Sequence, residues 1–276
     1  MADEPSKVVL ITGAASGIGR HLVGRFAKAG HRALAADVDE PGLARARDED
    51  GWTALRVLTH TLDVRSVDAW EDVLDALERA FGPLDVLLHA AGVIRPGWVH
   101  ALDPSDVERT LDVNLKGTIL GTRAAARRMV PRGRGHIVNL GSLASLAPVP
   151  GLSTYVASKF GVRGFSLAAA AELASHGVAV TVVLPDAVAT PMLDLQVPYE
   201  EAALTFSGGR ALRVEEVGDA VLVALDRRPL EVTLPLSRGL LARLSSVVPE
   251  AASVLAPLLR KKGREKQRSM RRDRGR

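Results

Sequence analysis

The stretch KVVLIT (7–12) runs without a break into TGAASGIG, residues Thr12–Gly19, and no other feature constrains this chain as tightly. A short apolar run rich in β-branched residues and stopped by a glycine cluster predicts a buried strand. Its apolar residues are consecutive, so both faces must be covered, which is the pattern of a parallel strand. The same type recurs in RALAAD (32–37), within TALRVLTHTLDV (53–64), and in PLDVLLHA (83–90), GHIVNLGS (135–142), GVAVTVVL (177–184) and LEVTLP (230–235). Helical periods lie between them: one ends near Ala29, and others fall near 66–81, 104–130, 153–175 and 214–227. Strand–helix alternation predicts an α/β protein with a doubly wound parallel sheet, its ligands at the carboxyl ends of the strands.

The glycines make the first strand end a candidate nucleotide site. Gly13, Gly17 and Gly19, with Ser16 and Ile18 among them, fall at the turn and the start of the helix. Missing Cβ atoms there let a pyrophosphate approach backbone amides, as in Rossmann-type folds. The spacing is G-x-x-x-G-x-G, not the commoner G-x-G-x-x-G. Asp37 ends the second strand, twenty-four residues after Gly13. A carboxylate in that place can accept both adenosine ribose hydroxyls and repels a 2′-phosphate. NAD is therefore expected over NADP, and Ser16 leaves no basic residue just before Gly17. The other reading of Asp37 is a helix N-cap, although Asp39 is the preferred cap.

Tyr155 is one of two tyrosines in 276 residues, and Lys159 follows it by four. On a helix the two share a face. A phenol ordinarily titrates near 10, and a neighbouring ammonium and a positive nicotinamide would both favour the phenolate, bringing it towards a working pH. Ser142 lies thirteen residues before Tyr155, at the end of the fifth strand. There it can hydrogen-bond a substrate oxygen and steady a developing alkoxide, or simply cap the strand end. Asn114 falls inside the long helix 104–130, where a helix–helix hydrogen bond is the plain alternative to a chemical role.

TGAASGIG, Asp37, Asp63 after the third strand, AAG (90–92) after the fourth, Asn114, Ser142 and YVASK (155–159) occur in this order. Together they resemble the short-chain dehydrogenases/reductases over about residues 7–235. The resemblance implies an NAD(H)-dependent alcohol dehydrogenase or ketone reductase with Tyr155 as acid/base, aided by Ser142 and Lys159. Asn114 would hold a water linking Lys159 to solvent. Asp63, with Val64 beside it, would meet the adenine, and Ala91 and Gly92 would let backbone pass close to the cofactor. Val188 and Thr190 of PDAVATPM (185–192) would contact the nicotinamide carboxamide. A homodimer or homotetramer built through the helices at 104–130 and 153–175 is implied as well. Two positions depart from the family pattern. His89-Ala90-Ala91-Gly92 stands for Asn-Asn-Ala-Gly, and Asp186 replaces the glycine after Pro185. Two rivals remain. A catalytically idle dinucleotide-binding scaffold is disfavoured by the intact Ser142, Tyr155, Lys159 and Asn114. A sugar-nucleotide epimerase or dehydratase usually has a shorter glycine spacing and a longer substrate domain.

The segment 191–210 is expected to cover the substrate. Leu193, Leu195, Val197 and Phe206, facing VIRPGWV (93–99), suggest a lipophilic alcohol or ketone rather than a sugar. Cysteine is absent, which excludes disulfides, a thiol nucleophile and thiolate metal sites. The seven histidines show no metal-ligand spacing, so no metal is expected. MADEPSK lacks the basic and apolar regions of a signal peptide, and no apolar run reaches the roughly 18 residues of a membrane span. A cytoplasmic protein is expected, peripheral to a membrane if its tail binds one.

Residues 1–235 are expected to form the catalytic domain and 236–276 an amphipathic helical extension. Residues 260–276 hold ten Lys/Arg against two acidic residues, whereas 1–259 carry 26 basic and 30 acidic groups. Ahead of the basic run, Leu240, Leu241, Leu244, Val247 and Val248 repeat at helical spacing. Ala251, Val254, Leu255, Leu258 and Leu259 continue it beyond Pro249. One reading is an anchor on an anionic membrane surface. The other is a helix packed on the body or a sister subunit, with a disordered, solvated basic end. No aromatic residues interleave the basic run, so nucleic acid is not an expected partner.

Overall fold

Neighbouring residues of β1 (Val8–Thr12) enter opposite cores: Val8 and Leu10 join one, Val9 and Ile11 the other. This is why the run is apolar at every position. The computed structural model describes residues 6–247 and 249–274. Its further strands are β2 (Arg32–Asp37), β3 (Val57–Thr61), β4 (Val86–His89), β5 (Gly135–Leu140), β6 (Val178–Pro185) and β7 (Glu231–Leu234). They form one parallel sheet in the order β3-β2-β1-β4-β5-β6-β7. Strand order reverses between β1 and β4, so a crevice opens at their carboxyl ends.

Helices cover both faces. α1 (Gly17–Lys28) and α2 (Glu40–Asp50) bury Leu22, Phe26 and Leu43 on one side. On the other, α3 (Val67–Phe81) buries Trp70, Leu74 and Leu77. Asp39 caps α2, accepting from Gly42 N at 3.0 Å. The expected helix over 104–130 is divided into α4 (Pro104–Leu111), a π-helical turn Asp112–Lys116, and α5 (Gly117–Met129). The widened turn carries Asn114, whose buried amide must find partners beyond its own helix. α6 (Ser153–Ala174) carries Tyr155 and Lys159. Beyond β6 come α7 (Pro191–Gln196), a 3₁₀ segment Glu200–Ser207, and α8 (Val214–Arg227).

The chain ends in α9 (Leu236–Val247) and α10 (Pro249–Arg274). This corrects the expectation of a disordered basic end, because α10 is helical through Arg274. Docking explains it. Gly263, Gln267 and Met270 face the 196–207 segment, and a Cβ on Gly263 would stand 1.8 Å from Ala203 O. Gln267 Nε2 donates to Tyr199 O at 2.8 Å, and Arg271 Nε to Val197 O at 3.0 Å. Tertiary packing of this kind, rather than local propensity, supplies most helical stability. Residues 1–5, Val248, and the side chains of Ala251 and Leu255 lie outside the described residues. Among the described residues no helix is long and apolar enough to cross a membrane.

Candidate active site

At the carboxyl end of β1 the backbone turns so tightly that Gly13 lies against the chain leaving β4. A Cβ on Gly13 would come within 2.7 Å of Ala91 N, and one on Gly19 within 2.2 Å of Gly13 O. Thr12 Oγ1 fixes this approach by accepting from Ala90 N and Ala91 N at 3.2 and 3.1 Å. Ser16 is the N-cap residue of α1 but its side chain makes no capping bond, which leaves first-turn amides for an anionic ligand. Gly17 has φ +54° and faces the side chain of Thr190.

A trough of about 520 Å³ runs along these residues, bounded by Ile18, Asp37, Asp63, Val64, Gly92 and Thr190. Its bare glycine wall and the acidic residue at the end of β2 fit a dinucleotide. Asp37 also organises the loop, with Oδ2 accepting from Ala15 N and Oδ1 from Asp39 N, both at 3.0 Å. Asp63 is turned onto Arg65, which donates from Nε and Nη2 at 2.9 and 2.7 Å. That guanidinium holds the Asp63 carboxyl below the usual carboxylate range. Val64 is buried and its carbonyl accepts from Trp70 Nε1 at 2.9 Å. Val188 bridges to Leu212, and its carbonyl accepts from Thr190 Oγ1 at 3.2 Å.

Beside the trough lies a second cavity of about 470 Å³, with Ser142, Tyr155 and Lys159 in its wall and Ile18 and Gly92 shared with the first. Ser142 caps a 3₁₀ turn, Leu143–Ser145, its Oγ accepting from Ala144 N at 3.1 Å. The same side chain shares the cavity wall with Tyr155 and favours its ionised form. Ser142 therefore caps the turn and lines the cavity at once. Burial pushes the Tyr155 phenol up to about 12, opposed by the polar Ser142 side chain. Burial pushes Lys159 down to about 8. The expectation that Lys159 lowers the phenol is not met in this arrangement. Lys159 Nζ stands 5.7 Å from the tyrosine ring centroid and donates to Leu140 O at 2.8 Å.

Asn114 is drawn into the same neighbourhood. Its amide donates to Val93 O and Ser158 Oγ at 2.9 and 3.1 Å, and its Oδ1 accepts from Val93 N at 2.8 Å. The bond to Ser158 is a helix–helix link, and the pair to Val93 fixes the loop after β4. A Cβ on Gly92 would lie 3.4 Å from Asn114 Oδ1 and 3.9 Å from Lys159 Nζ. His89 is buried edge-on against Trp70, at 5.3 Å between ring centroids, and burial with the nearby Lys159 pushes it down to about 3. It is a neutral packing residue.

Three functional neighbours had no role in the sequence reading. Thr12 lies inside the glycine motif, yet its clamp needs β4 alongside. Arg65 sits two residues from Asp63, a spacing that could have signalled the pair. Arg238 in α9 lines the second cavity and pairs with Asp186, and no local signal marks it.

The chain matches the short chain dehydrogenase family profile over residues 7–200, and it belongs to that family of nicotinamide-dependent oxidoreductases. It is 34% identical over 224 residues to the (2S)-[(R)-hydroxy(phenyl)methyl]succinyl-CoA dehydrogenase subunit BbsD of Thauera aromatica, covering 80% of this chain and 90% of that protein. It is 36% identical over 219 residues to a 3-alpha-(or 20-beta)-hydroxysteroid dehydrogenase of Mycobacterium bovis, covering 78% and 81%. The crystal structure of levodione reductase superposes with a TM-score of 0.77 at 26% identity, covering 84% of this chain and 97% of that one.

Proposed function

We propose that this protein is an NAD(H)-dependent dehydrogenase/reductase that interconverts a secondary, lipophilic alcohol and its carbonyl. The observation that carries the reading is the placing of Ser142, Tyr155 and Lys159 in the wall of a cavity adjoining the glycine-lined trough. Gly13, Ser16, Gly17, Ile18 and Gly19 would hold the pyrophosphate, and Asp37 the adenosine ribose. Asp63 and Val64 would flank the adenine, with Ala91, Gly92, Val188 and Thr190 towards the nicotinamide. When bound, the nicotinamide supplies or accepts the hydride.

The protein's own residues handle the oxygen and its proton. Tyr155 donates its phenolic proton to the carbonyl oxygen in reduction, and its phenolate takes that proton back in oxidation. Ser142 holds the same oxygen, so charge developing there meets a placed donor. Lys159, charged below about 8, supplies positive charge beside the phenol, and Asn114 holds the loop and helix that position it. The cavity wall is mostly apolar, including Ile94, Leu143, Val149, Leu152, Leu193 and Leu204, which supports a lipophilic substrate. The hydroxysteroid dehydrogenase relative supports the same class. A homodimer or homotetramer through α4–α5 and α6 is part of the reading, and Phe160 on α6 offers an exposed ring to that interface.

Steroid, retinoid and fatty alcohols, each with NAD and NADP, are the substrates to test by absorbance of the reduced nicotinamide. Turnover with a higher kcat/KM for NAD is expected. Equal or better use of NADP would overturn the cofactor assignment. Binding of NADH with no turnover of any alcohol or ketone would favour the idle scaffold.

A further inference from the structure

The two C-terminal helices have two unlike faces. Inward, Ala242 and Ser245 of α9 and Ala256 of α10 line the 470 Å³ cavity, while Gly263, Gln267 and Met270 dock α10 on the body. Outward, Leu240, Leu244 and Val247 of α9 recur at helical spacing, and each is more than half exposed. Val254 and Leu258 of α10 are exposed to the same degree. Leu241 and Leu259 belong to both faces, lining the cavity while 60% and 41% exposed. The rim of the substrate cavity is therefore continuous with an uncovered apolar surface.

The outward stripe of α10 changes character along its length. At 3.6 residues per turn, Val254 and Leu258 are followed on the same side by Lys261, Glu265, Arg268 and Arg272. The three basic residues are exposed, with Lys262 and Arg264 exposed beside them. Glu265 is the acidic member of that stripe. Arg260 is turned away, its guanidinium 4.3 Å over the Trp98 ring, and Lys266 donates to Gly209 O. Both hold α10 in place rather than contribute to the outward charge.

We propose that the outward face of α9 and α10 docks on an anionic lipid bilayer, with the mouth of the substrate cavity facing the lipid. Apolar side chains at the rim enter the interface, and the basic stripe meets the headgroups, each Lys/Arg strengthening attachment about fivefold. A second copy of the chain is a poorer occupant. Pairing through a two-fold axis sets the patch against itself, which confines the basic stripes of both copies to one interface and covers both cavity mouths. The use of this placement, delivery of a membrane-dissolved substrate, rests on the lipophilic-alcohol reading, whereas docking itself is measured without substrate.

The test is co-sedimentation of the full-length protein with phosphatidylcholine vesicles, with and without phosphatidylglycerol. Two variants accompany it: Leu240→Ser/Leu244→Ser/Leu258→Ser and Lys261→Glu/Arg268→Glu/Arg272→Glu. All six positions are exposed, and NADH binding and thermal midpoint check that each variant is folded. Partitioning at least about tenfold stronger onto anionic vesicles is expected, weakening in salt as charges are screened. Each variant should lose about tenfold or more. No binding to anionic vesicles at low salt, or equal binding to neutral ones, overturns the proposal. Loss in the charge variant with none in the leucine variant reduces the contact to adsorption and overturns docking of the apolar face. If vesicle binding is absent and the leucine variant splits an oligomer in sedimentation velocity, the face belongs to a second copy.

Discussion

Arg238, on the first turn of α9, forms an ion pair with Asp186, the residue directly after Pro185 at the end of β6. The acid stands where the family pattern has glycine, and its counter-ion comes from the C-terminal extension. Both residues line the 470 Å³ cavity that holds Tyr155 and Lys159 in its wall, so the pair ties that extension to the candidate site.

Separating the pair should be felt by the charge state of the cofactor. Arg238→Met leaves the Asp186 carboxylate uncompensated beside the proposed nicotinamide position. A partly exposed pair is worth about 0.5–1 kcal/mol, so the ratio of the NADH to the NAD⁺ Kd should rise severalfold. Asp186→Gly/Arg238→Met should return it close to the parent value. An unchanged ratio in Arg238→Met would place the nicotinamide away from Asp186. Fluorescence titration with both cofactor forms reads the effect.

Tyr155→Phe keeps the ring and its packing with Ile94 and Leu193 but removes the proposed proton donor. General acid–base catalysis contributes roughly 10²–10⁴-fold, so turnover should fall at least that far while NADH still binds. A variant that keeps a tenth of the rate would show that another group moves the proton.

Lys159 should trade stability for chemistry. Its ammonium titrates at about 8 in the folded protein against about 10.4 in an unfolded chain. Below 8 it is charged in both states, and burial then costs on the order of 3 kcal/mol. Between those two values the unfolded chain binds more protons, so this cost fades as pH rises. Lys159→Met should therefore lose turnover yet melt higher than the parent at pH 7, with the gain shrinking towards pH 10. Calorimetry at the two pH values checks this. A lower midpoint at pH 7 would mean the hydrogen bond to Leu140 outweighs desolvation.

Asp37→Ala should act twice. Loss of the carboxylate should narrow the proposed preference for NAD over NADP. It also frees Ala15 N and Asp39 N, to which Asp37 is bonded, so KM for NAD should rise as well. Asp37→Asn keeps one acceptor for these amides, so it should narrow the preference with a smaller rise in KM. Steady-state kinetics with both cofactors separates the two effects.

Strand and helix positions were legible in the sequence because each is written in a local period. β1 is apolar throughout since both of its faces are covered, and α3 repeats its buried Trp70, Leu74 and Leu77 at helical spacing. The glycine turn was legible for a related reason: a Cβ on Gly13 would stand 2.7 Å from the backbone nitrogen of Ala91, so the turn tolerates none. The helical stretch at 104–130 was legible as well, but not the π turn within it. A π turn at Asn114 leaves no periodic mark, and its bonds to Val93 and Ser158 join residues 21 and 44 positions away.

The sequence by itself determined the sheet, the glycine turn after β1 and the Tyr155–Lys159 face, because short-range sterics and periodicity specify them. Tertiary structure alone decided which way Lys159 points, and that the phenol is raised rather than lowered, since burial and the Leu140 carbonyl are products of packing. It also decided the fate of the basic end. By composition residues 260–276 read as a solvated tail, but Gly263, Gln267 and Met270 lie on one helical face that matches the 196–207 segment. Solvation and docking are separated by contacts between residues some seventy positions apart, and no local window of sequence contains both partners.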